Sequence, residues 1–167
     1  MRVATNIFAC ALTLLSGAAF AAPGSKQPFS LTLHPPPGPV KVGGELRLRV
    51  TVTNNSNGDI RFARSPGIVP QEELSYHIEV RDAHGRPAPI TPFFRHLKDN
   101  PGSMWGSYLS YTLGPGKSFE DELLVTKLYT LAEPGKYTVW VARSQEPWPK
   151  LTKDSVRSGS ITVNVTE

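Results

Sequence analysis

The sequence predicts an all-β protein, an immunoglobulin-like antiparallel β-sandwich of about eight or nine strands. Short segments alternate apolar and polar residues with the period of two that is typical of strands. Turn signals rich in glycine, proline and asparagine separate these segments every ~8–12 residues. No long segment has the 3.6-residue period of an amphipathic helix. This pattern favours two packed sheets, with a closed barrel as the alternative.

The first half of the chain carries the most regular alternation. Residues 29–33 alternate until the proline-rich run 35–39, where the missing N–H groups end the strand. Residues 45–53 present leucine and valine on one face and arginine and threonine on the other, and the polar run 54–59 is a turn. The predicted strands are 29–33, 45–53, 60–64, 74–81, 108–113, 118–125, 136–143 and 161–165.

Three further segments break the regular pattern. Residues 86–90 return from a tight turn as an edge strand that Pro87 and Pro89 interrupt. Residues 91–106 form the longest irregular stretch, and residues 127–133 are predicted to contain a brief helical turn. The acidic run 120–122 lies on a strand, so Glu120 and Glu122 share one face, which we expect to be exposed to solvent.

The first residues predict export. Arg2 precedes an apolar run, and Ala19-Phe20-Ala21 places small residues at the positions that a signal peptidase recognises. We therefore expect a signal peptide at 1–21, a flexible leader at 22–28 and one sandwich domain at 29–167. The product would be periplasmic or extracellular, with no stable membrane anchor after cleavage.

Charge and cysteine content exclude several classes of function. The net charge is +4, and removal of Arg2 with the signal peptide leaves +3, which is too weak for a nucleic-acid-binding stripe. The single cysteine, Cys10, lies in the predicted signal peptide. The exported chain would therefore have neither a disulfide nor a thiol nucleophile.

Four segments together resemble a known arrangement. They are LRLRVTVTNNS at 46–56, YHIEVRDAHG at 76–85, LGPGKS at 113–118 and PGKYTV at 134–139. Their order resembles immunoglobulin-like sandwiches of secreted bacterial proteins. It is similar to BsuPI-type proteinase-inhibitor domains and, more loosely, to the β-rich propeptides of fungal deuterolysin-type metallopeptidases. The resemblance covers roughly 100 residues, and its motifs are structural. It implies the sandwich fold and, as a function, inhibition of a proteinase.

Gly135 and Tyr137 are the predicted structural pair. They suit a tyrosine corner, in which a phenol hydroxyl bonds to the backbone at one end of a sandwich. In the turn 114–116, the two glycines can accept a positive φ.

The sequence predicts no catalytic residues, no metal ligands and no cofactor. His77 and Glu79 share a strand face and His84 lies just beyond, but Arg81 on the same face opposes a cation. No Gly-x-Ser-x-Gly turn occurs. A small hydrolase is therefore only a distant alternative.

Large aromatic residues outside the core pattern are the candidate binding residues. They fall in the predicted loops or, for Trp140, on the strand face opposite the core, and loops and exposed aromatics commonly carry binding. The candidates are Phe93, Phe94, Trp105, Trp140 and Trp148, together with Met104 and, as a polar partner, Arg95. We expect a non-catalytic binding module for a protein partner whose identity and oligomeric state the sequence leaves open. The alternatives are a proteinase inhibitor and a carbohydrate-binding module.

Overall fold

Ten strands form three sheets in the computed structural model, which describes residues 27–64, 72–100, 109–145 and 151–167. The same ranges contain the α-helix α1 (Pro92–Asp99) and the 3-10 helices Glu72–Ser75 and Val125–Lys127. The strands are β1 (Phe29–His34), β2 (Val40–Lys41), β3 (Arg47–Asn54), β4 (Ile60–Arg64), β5 (His77–Arg81), β6 (Leu109–Leu113), β7 (Ser118–Leu124), β8 (Gly135–Arg143), β9 (Val156–Arg157) and β10 (Ile161–Thr166).

The two main sheets confirm the predicted sandwich. One has the order β1-β3-β7, and the other has the order β2-β10-β8-β5, with β9 added beside β8. The pairings are antiparallel except for that between β2 and β10. In the described ranges the sheets stay separate rather than closing into a barrel, and their inward leucine, valine and aromatic side chains form one core.

The third sheet continues the first beyond a bend. The β3–β7 ladder ends at Thr53 and Ser118, and the β4–β6 ladder begins at Ile60 and Leu113. Asn54 lies between the two ladders and is 1% exposed. Its amide nitrogen donates to the carbonyls of Gly58 (2.8 Å) and Leu113 (2.7 Å), while its amide oxygen accepts from Ser56. The strand pairs therefore form one long ribbon that is held together at Asn54.

The helix α1 corrects the prediction that residues 91–106 are irregular. The Thr91 hydroxyl caps it by accepting the Phe94 N–H at 3.2 Å, and Pro92 occupies its first turn. Phe94 and Leu97, three residues apart, are its buried residues. The sequence carries the signals of this helix, since Thr91 is followed by Pro92 at the helix start, and Phe94 and Leu97 have the spacing of one helix face.

The predicted edge strand 86–90 is not formed either. Only isolated bridges join Arg81 to Pro87 and Ile90 to Tyr129, because prolines cannot donate to a ladder. The helical turn predicted at 127–133 lies earlier, at Val125–Lys127. The strand predicted at 74–81 begins only at His77, after a 3-10 helix.

The start of the chain lies outside the described residues. The predicted signal peptide and residues 22–26 of the predicted leader belong to that segment. Within the described ranges, no helix has the length and apolarity needed to span a membrane.

Candidate functional site

Trp140 is the candidate binding residue that the structure places on an open sheet face. It lies on β8, and its neighbours in sequence, Val139 and Val141, are fully buried, whereas Trp140 is half-buried on the opposite side. The guanidinium carbon of Arg157 lies 3.8 Å from the centre of the indole. The His77 ring is 5.4 Å away and tilted by 34°. We call Trp140, Arg157, His77, Glu79 and Arg81 the Trp140 face.

Charged groups border the indole in a fixed arrangement. Glu79 stands opposite Trp140 in the β5–β8 ladder and binds Arg81 at 2.7 Å. The other Glu79 oxygen is 3.8 Å from Nε2 of His77. Burial lowers the pKa of His77 below 6.5, with Glu79 opposing the effect and Lys98 on α1 adding to it. Burial therefore favours the neutral imidazole beside Trp140.

The three candidates on α1 do not form one cluster with Trp140. Phe94 is 6% exposed and packs edge-on against Tyr129 at 5.7 Å, so it belongs to the core. Phe93 is 38% exposed, with the Lys127 ammonium 5.2 Å from its ring, and Arg95 is exposed. The prediction that Phe93 and Phe94 lie in a loop is wrong. Met104, Trp105 and Trp148 lie outside the described residues.

Tyr137 makes the bond expected of a tyrosine corner. Its hydroxyl donates to the carbonyl of Glu133 at 3.0 Å. Gly135 has φ +148°, a conformation that residues with a Cβ rarely adopt. In the turn before β7, Gly116 has φ +68° while Gly114 does not have a positive φ. These residues hold the sandwich ends in place.

The buried ion pair of Arg143 and Asp121 is one polar feature that the sequence patterns did not predict. Arg143 and Asp121 are each 3% exposed, and Nη1 of Arg143 lies 3.0 Å from Oδ2 of Asp121. The Tyr76 hydroxyl donates to the same oxygen at 2.9 Å, and Nη2 of Arg143 donates to the carbonyl of Ala63 at 3.3 Å. The rings of Tyr76, Phe62 and Phe119 surround the guanidinium carbon at 4.7, 5.0 and 5.4 Å.

The alternation of the sequence contains the signal for this pair. Tyr137, Val139 and Val141 face inward on β8, so the same period places Arg143 inward. On β7, Glu120 and Glu122 are exposed as predicted, and the period places Asp121 inward between them. A charge of each sign at inward positions of two strands indicates a buried pair.

The described residues offer limited chemistry elsewhere. No group of three or more histidine, cysteine or acidic side chains in those ranges could hold a metal ion. A cavity of about 320 Å3 lies beside the segment 86–89 and Tyr137. The Asp82 carboxylate on its wall accepts hydrogen bonds from Arg86 and from the His84 N–H, so its oxygens are already occupied.

Comparison with known proteins gives distant similarity in fold. No protein-family model and no curated protein sequence matches the chain. The chain is similar to a β-glucosidase from Listeria innocua in complex with glucose, with a TM-score of 0.42 and 18% identity over 83% of this chain. It spans only 16% of that enzyme. It is also similar to a CARDB domain from Pyrococcus furiosus in complex with di-metal ions. There the TM-score is 0.40 and the identity 13%, over 82% of this chain and 91% of that domain.

Proposed function

We propose that this protein is an exported, non-catalytic binding module that docks a protein partner on the Trp140 face. The observation that carries the proposal is the stack of Arg157 on Trp140 at 3.8 Å, on the outer side of the second sheet. Tryptophan and arginine are the side chains most enriched at the energetic centres of protein interfaces. The stack fixes both side chains before a partner arrives, which lowers the entropy lost on binding.

Charge on this face favours an acidic partner. Arg157 places a positive charge against Trp140, Arg81 lies on the same face, and Lys136 is exposed on the same side of β8. Glu79, the acidic side chain of the face, is engaged by Arg81 at 2.7 Å. A partner surface rich in carboxylates would therefore complement the face.

The ion pairs support a binding rather than a catalytic role. Asp121, Asp82 and Glu79 each lie within 3.0 Å of an arginine nitrogen. A general acid or base must be available to the substrate at the reacting atom. These carboxylates are instead committed to holding cations in place.

This function is tested by comparing how much partner protein the wild type and matched variants capture. The immobilised protein is incubated with proteins secreted by its source cells, and bound proteins are quantified by mass spectrometry. We expect Trp140→Ala and Arg157→Ala to reduce capture of the partner by at least about tenfold.

The matched control is Arg49→Ala, an exposed arginine on the outer face of the other sheet. Capture should also weaken as salt rises, because the charges are exposed. Equal capture by Trp140→Ala and Arg49→Ala would contradict the proposal.

Proteinase inhibition, which the sequence resemblance implies, is the main alternative. A protease panel separates the two functions, since an inhibitor abolishes the activity of its target at a stoichiometric ratio. If Trp140→Ala left that inhibition unchanged, the inhibitory surface would lie elsewhere on the molecule. A carbohydrate-binding module would instead bind on a glycan array, with no protein partner needed.

A further inference from the structure

The Trp140 indole lies between two side chains that cover its faces. In the ladders of β8, Ala142 stands opposite Arg157 on one side and opposite His77 on the other. The guanidinium carbon of Arg157 lies over the indole at 3.8 Å from its centre, and the His77 ring is stacked at 5.4 Å with a tilt of 34°. Beside them, Ala142 is only 2% exposed. A ligand therefore meets the edge of the indole and the outer side of the guanidinium, rather than an open aromatic face.

The backbone on both sides of Arg157 is held in place. Val156, before it, is 2% exposed in the core. Ser158, after it, donates its N–H to the Val141 carbonyl at 2.9 Å, and its hydroxyl oxygen accepts the Val141 N–H at 3.1 Å. The stack on Trp140 holds the other end of the Arg157 side chain. The guanidinium therefore loses little conformational freedom when it binds an anion.

Arg157 differs from the arginines that stabilise the fold, because it has no acidic partner. Arg47, Arg81 and Arg86 each bind a carboxylate at 2.7 or 2.8 Å. Arg157 is exposed, and among the described residues it makes neither an ion pair nor a hydrogen bond. A guanidinium stacked on an aromatic ring keeps its N–H donors in a plane that runs alongside the ring. These donors are therefore available to an anion from another molecule.

The charge around Arg157 fits a single carboxylate. On this face Arg157 and Arg81 are positive and Glu79 is negative. Burial favours the neutral imidazole of His77, so the face has one positive charge in excess. A carboxylate has one negative charge and can accept two parallel hydrogen bonds from a guanidinium. A phosphate ester has about 1.5 to 2 negative charges at neutral pH, which exceeds the charge that this face offers.

We propose that Arg157 binds one carboxylate of the partner through two parallel hydrogen bonds, and that Trp140 is the positioning residue that holds the guanidinium for it. This inference rests on the proposed function and assigns different roles to its two main residues. The carboxylate belongs to an aspartate or glutamate side chain or to the end of a chain, since both offer the same pair of oxygens.

Nuclear magnetic resonance of the folded protein with short peptides tests the role of Arg157. The peptide acetyl-Gly-Glu-Gly-amide offers a side-chain carboxylate, acetyl-Gly-Gly-Gly offers a terminal carboxylate, and acetyl-Gly-Gln-Gly-amide offers neither. We expect at least one carboxylate peptide to shift the Nε–H signal of Arg157 saturably, and the glutamine peptide to leave it unchanged. The stronger of the two carboxylate peptides identifies the source of the group. Arg61 is the internal control, because it is exposed and, in the described ranges, stacks on no ring.

Three results of this titration would overturn the proposal. The first is the absence of a saturable Arg157 shift with either carboxylate peptide. The second is an equal shift with the glutamine peptide. The third is tighter binding of acetyl-Gly-phosphoserine-Gly-amide than of both carboxylate peptides, which would mean that the site selects phosphate.

Two variants separate recognition from positioning. Arg157→Lys keeps the charge but removes the planar pair of donors, so affinity for the carboxylate peptides should fall at least about fivefold. Trp140→Leu keeps Arg157 but removes the ring beneath it, and we expect a similar fall together with faster exchange of the Arg157 Nε–H with water. Circular dichroism should show the same β-sheet signal in both variants. Unchanged peptide affinity and unchanged exchange in Trp140→Leu would contradict the positioning role.

Failure of this inference can be distinguished from failure of the proposed function. If the peptides leave Arg157 unchanged while Trp140→Ala still reduces capture of a protein, the face docks its partner through other contacts and the carboxylate site is wrong. If the carboxylate peptides bind at Arg157 but no protein is captured, the carboxylate site is supported and the docking of a protein partner is contradicted.

Discussion

At the residue scale, Arg143 shows how a charge is accommodated inside a largely apolar sandwich. The desolvation of a buried guanidinium is costly, and one carboxylate alone seldom compensates for it. Here Asp121 supplies the charge, Ala63 supplies a carbonyl, and three aromatic rings present their negative faces to the cation. Burial also raises the pKa of the Tyr76 hydroxyl far above its usual value, so the hydroxyl stays protonated and donates to Asp121.

This arrangement predicts an asymmetric response to mutation. Arg143→Met leaves the Asp121 carboxylate buried without its counter-charge, and we expect it to lower the free energy of unfolding by about 3–5 kcal/mol. Adding Asp121→Asn removes the stranded charge while keeping an acceptor for Tyr76, so the double variant should regain a large part of the loss. Urea unfolding followed by tryptophan fluorescence measures both. A double variant no more stable than Arg143→Met would show that the ion pair is not the source of the effect.

At the scale of elements, the ribbon through β3, β4, β6 and β7 depends on one amide side chain. Asn54 donates to two carbonyls and accepts from Ser56, so it replaces the backbone bonds that are lost where the two ladders are interrupted. The Leu113 carbonyl that it reaches is in a buried position. A side chain with the same shape but no donor would leave that carbonyl unpaired.

Asn54→Asp is therefore the decisive substitution for this element. It keeps the shape and the acceptor but removes both donors, and we expect a loss of about 2–4 kcal/mol in the free energy of unfolding. Ser56→Ala is the matched control, because it removes a hydroxyl from the same turn but leaves the bond to Leu113 intact, and should cost ~1 kcal/mol or less. Thermal and urea unfolding provide the measurement. Similar losses in the two variants would mean that the whole turn, rather than the Asn54 donor, holds the ribbon.

The alternation of apolar and polar residues predicted the strands that face the core on one side and solvent on the other. Residues 60–64 coincide with β4, and residues 118–125 and 136–143 match β7 and β8 to within one residue. The two-residue strands β2 and β9 are too short to show any period. Their existence depends on neighbours that are distant in sequence, β10 and β8, which local patterns do not reveal.

The candidate site was predictable only in part, for a similar reason. The outward position of Trp140 follows directly from the period of β8. Its stacking partners come from β5 and β9, and the approach of Arg157 to within 3.8 Å depends on the pairing of β8 with β9. In the sequence, residues 120–122 form one continuous acidic run. The structure separates them into two exposed glutamates and one aspartate buried against Arg143.

At the scale of the whole molecule, stability depends on packing without covalent cross-links. The sequence has one cysteine, Cys10, so no disulfide can join two points of this chain. Its prolines include Pro87 and Pro89, beside the covered edge of β5. Prolines in connections lower the entropy of the unfolded chain, which stabilises the folded state without any added contact.

The pH dependence of that stability should include a component from His77. Burial lowers its pKa below 6.5 in the folded protein, while the unfolded chain keeps the ordinary value. Between these two values the unfolded state binds more protons, so the free energy of unfolding falls as the pH drops through about 6.5. The component is fully present above the ordinary pKa and is lost by the time the pH reaches the folded pKa.

His77→Gln, which cannot be protonated, should make the stability curve flatter in this window. Urea unfolding at a series of pH values measures the slope, with His84→Gln as the control for loss of an exposed imidazole. If His77→Gln and the wild type lose stability in parallel, then His77 is not protonated on unfolding and the burial beside Trp140 does not govern its charge.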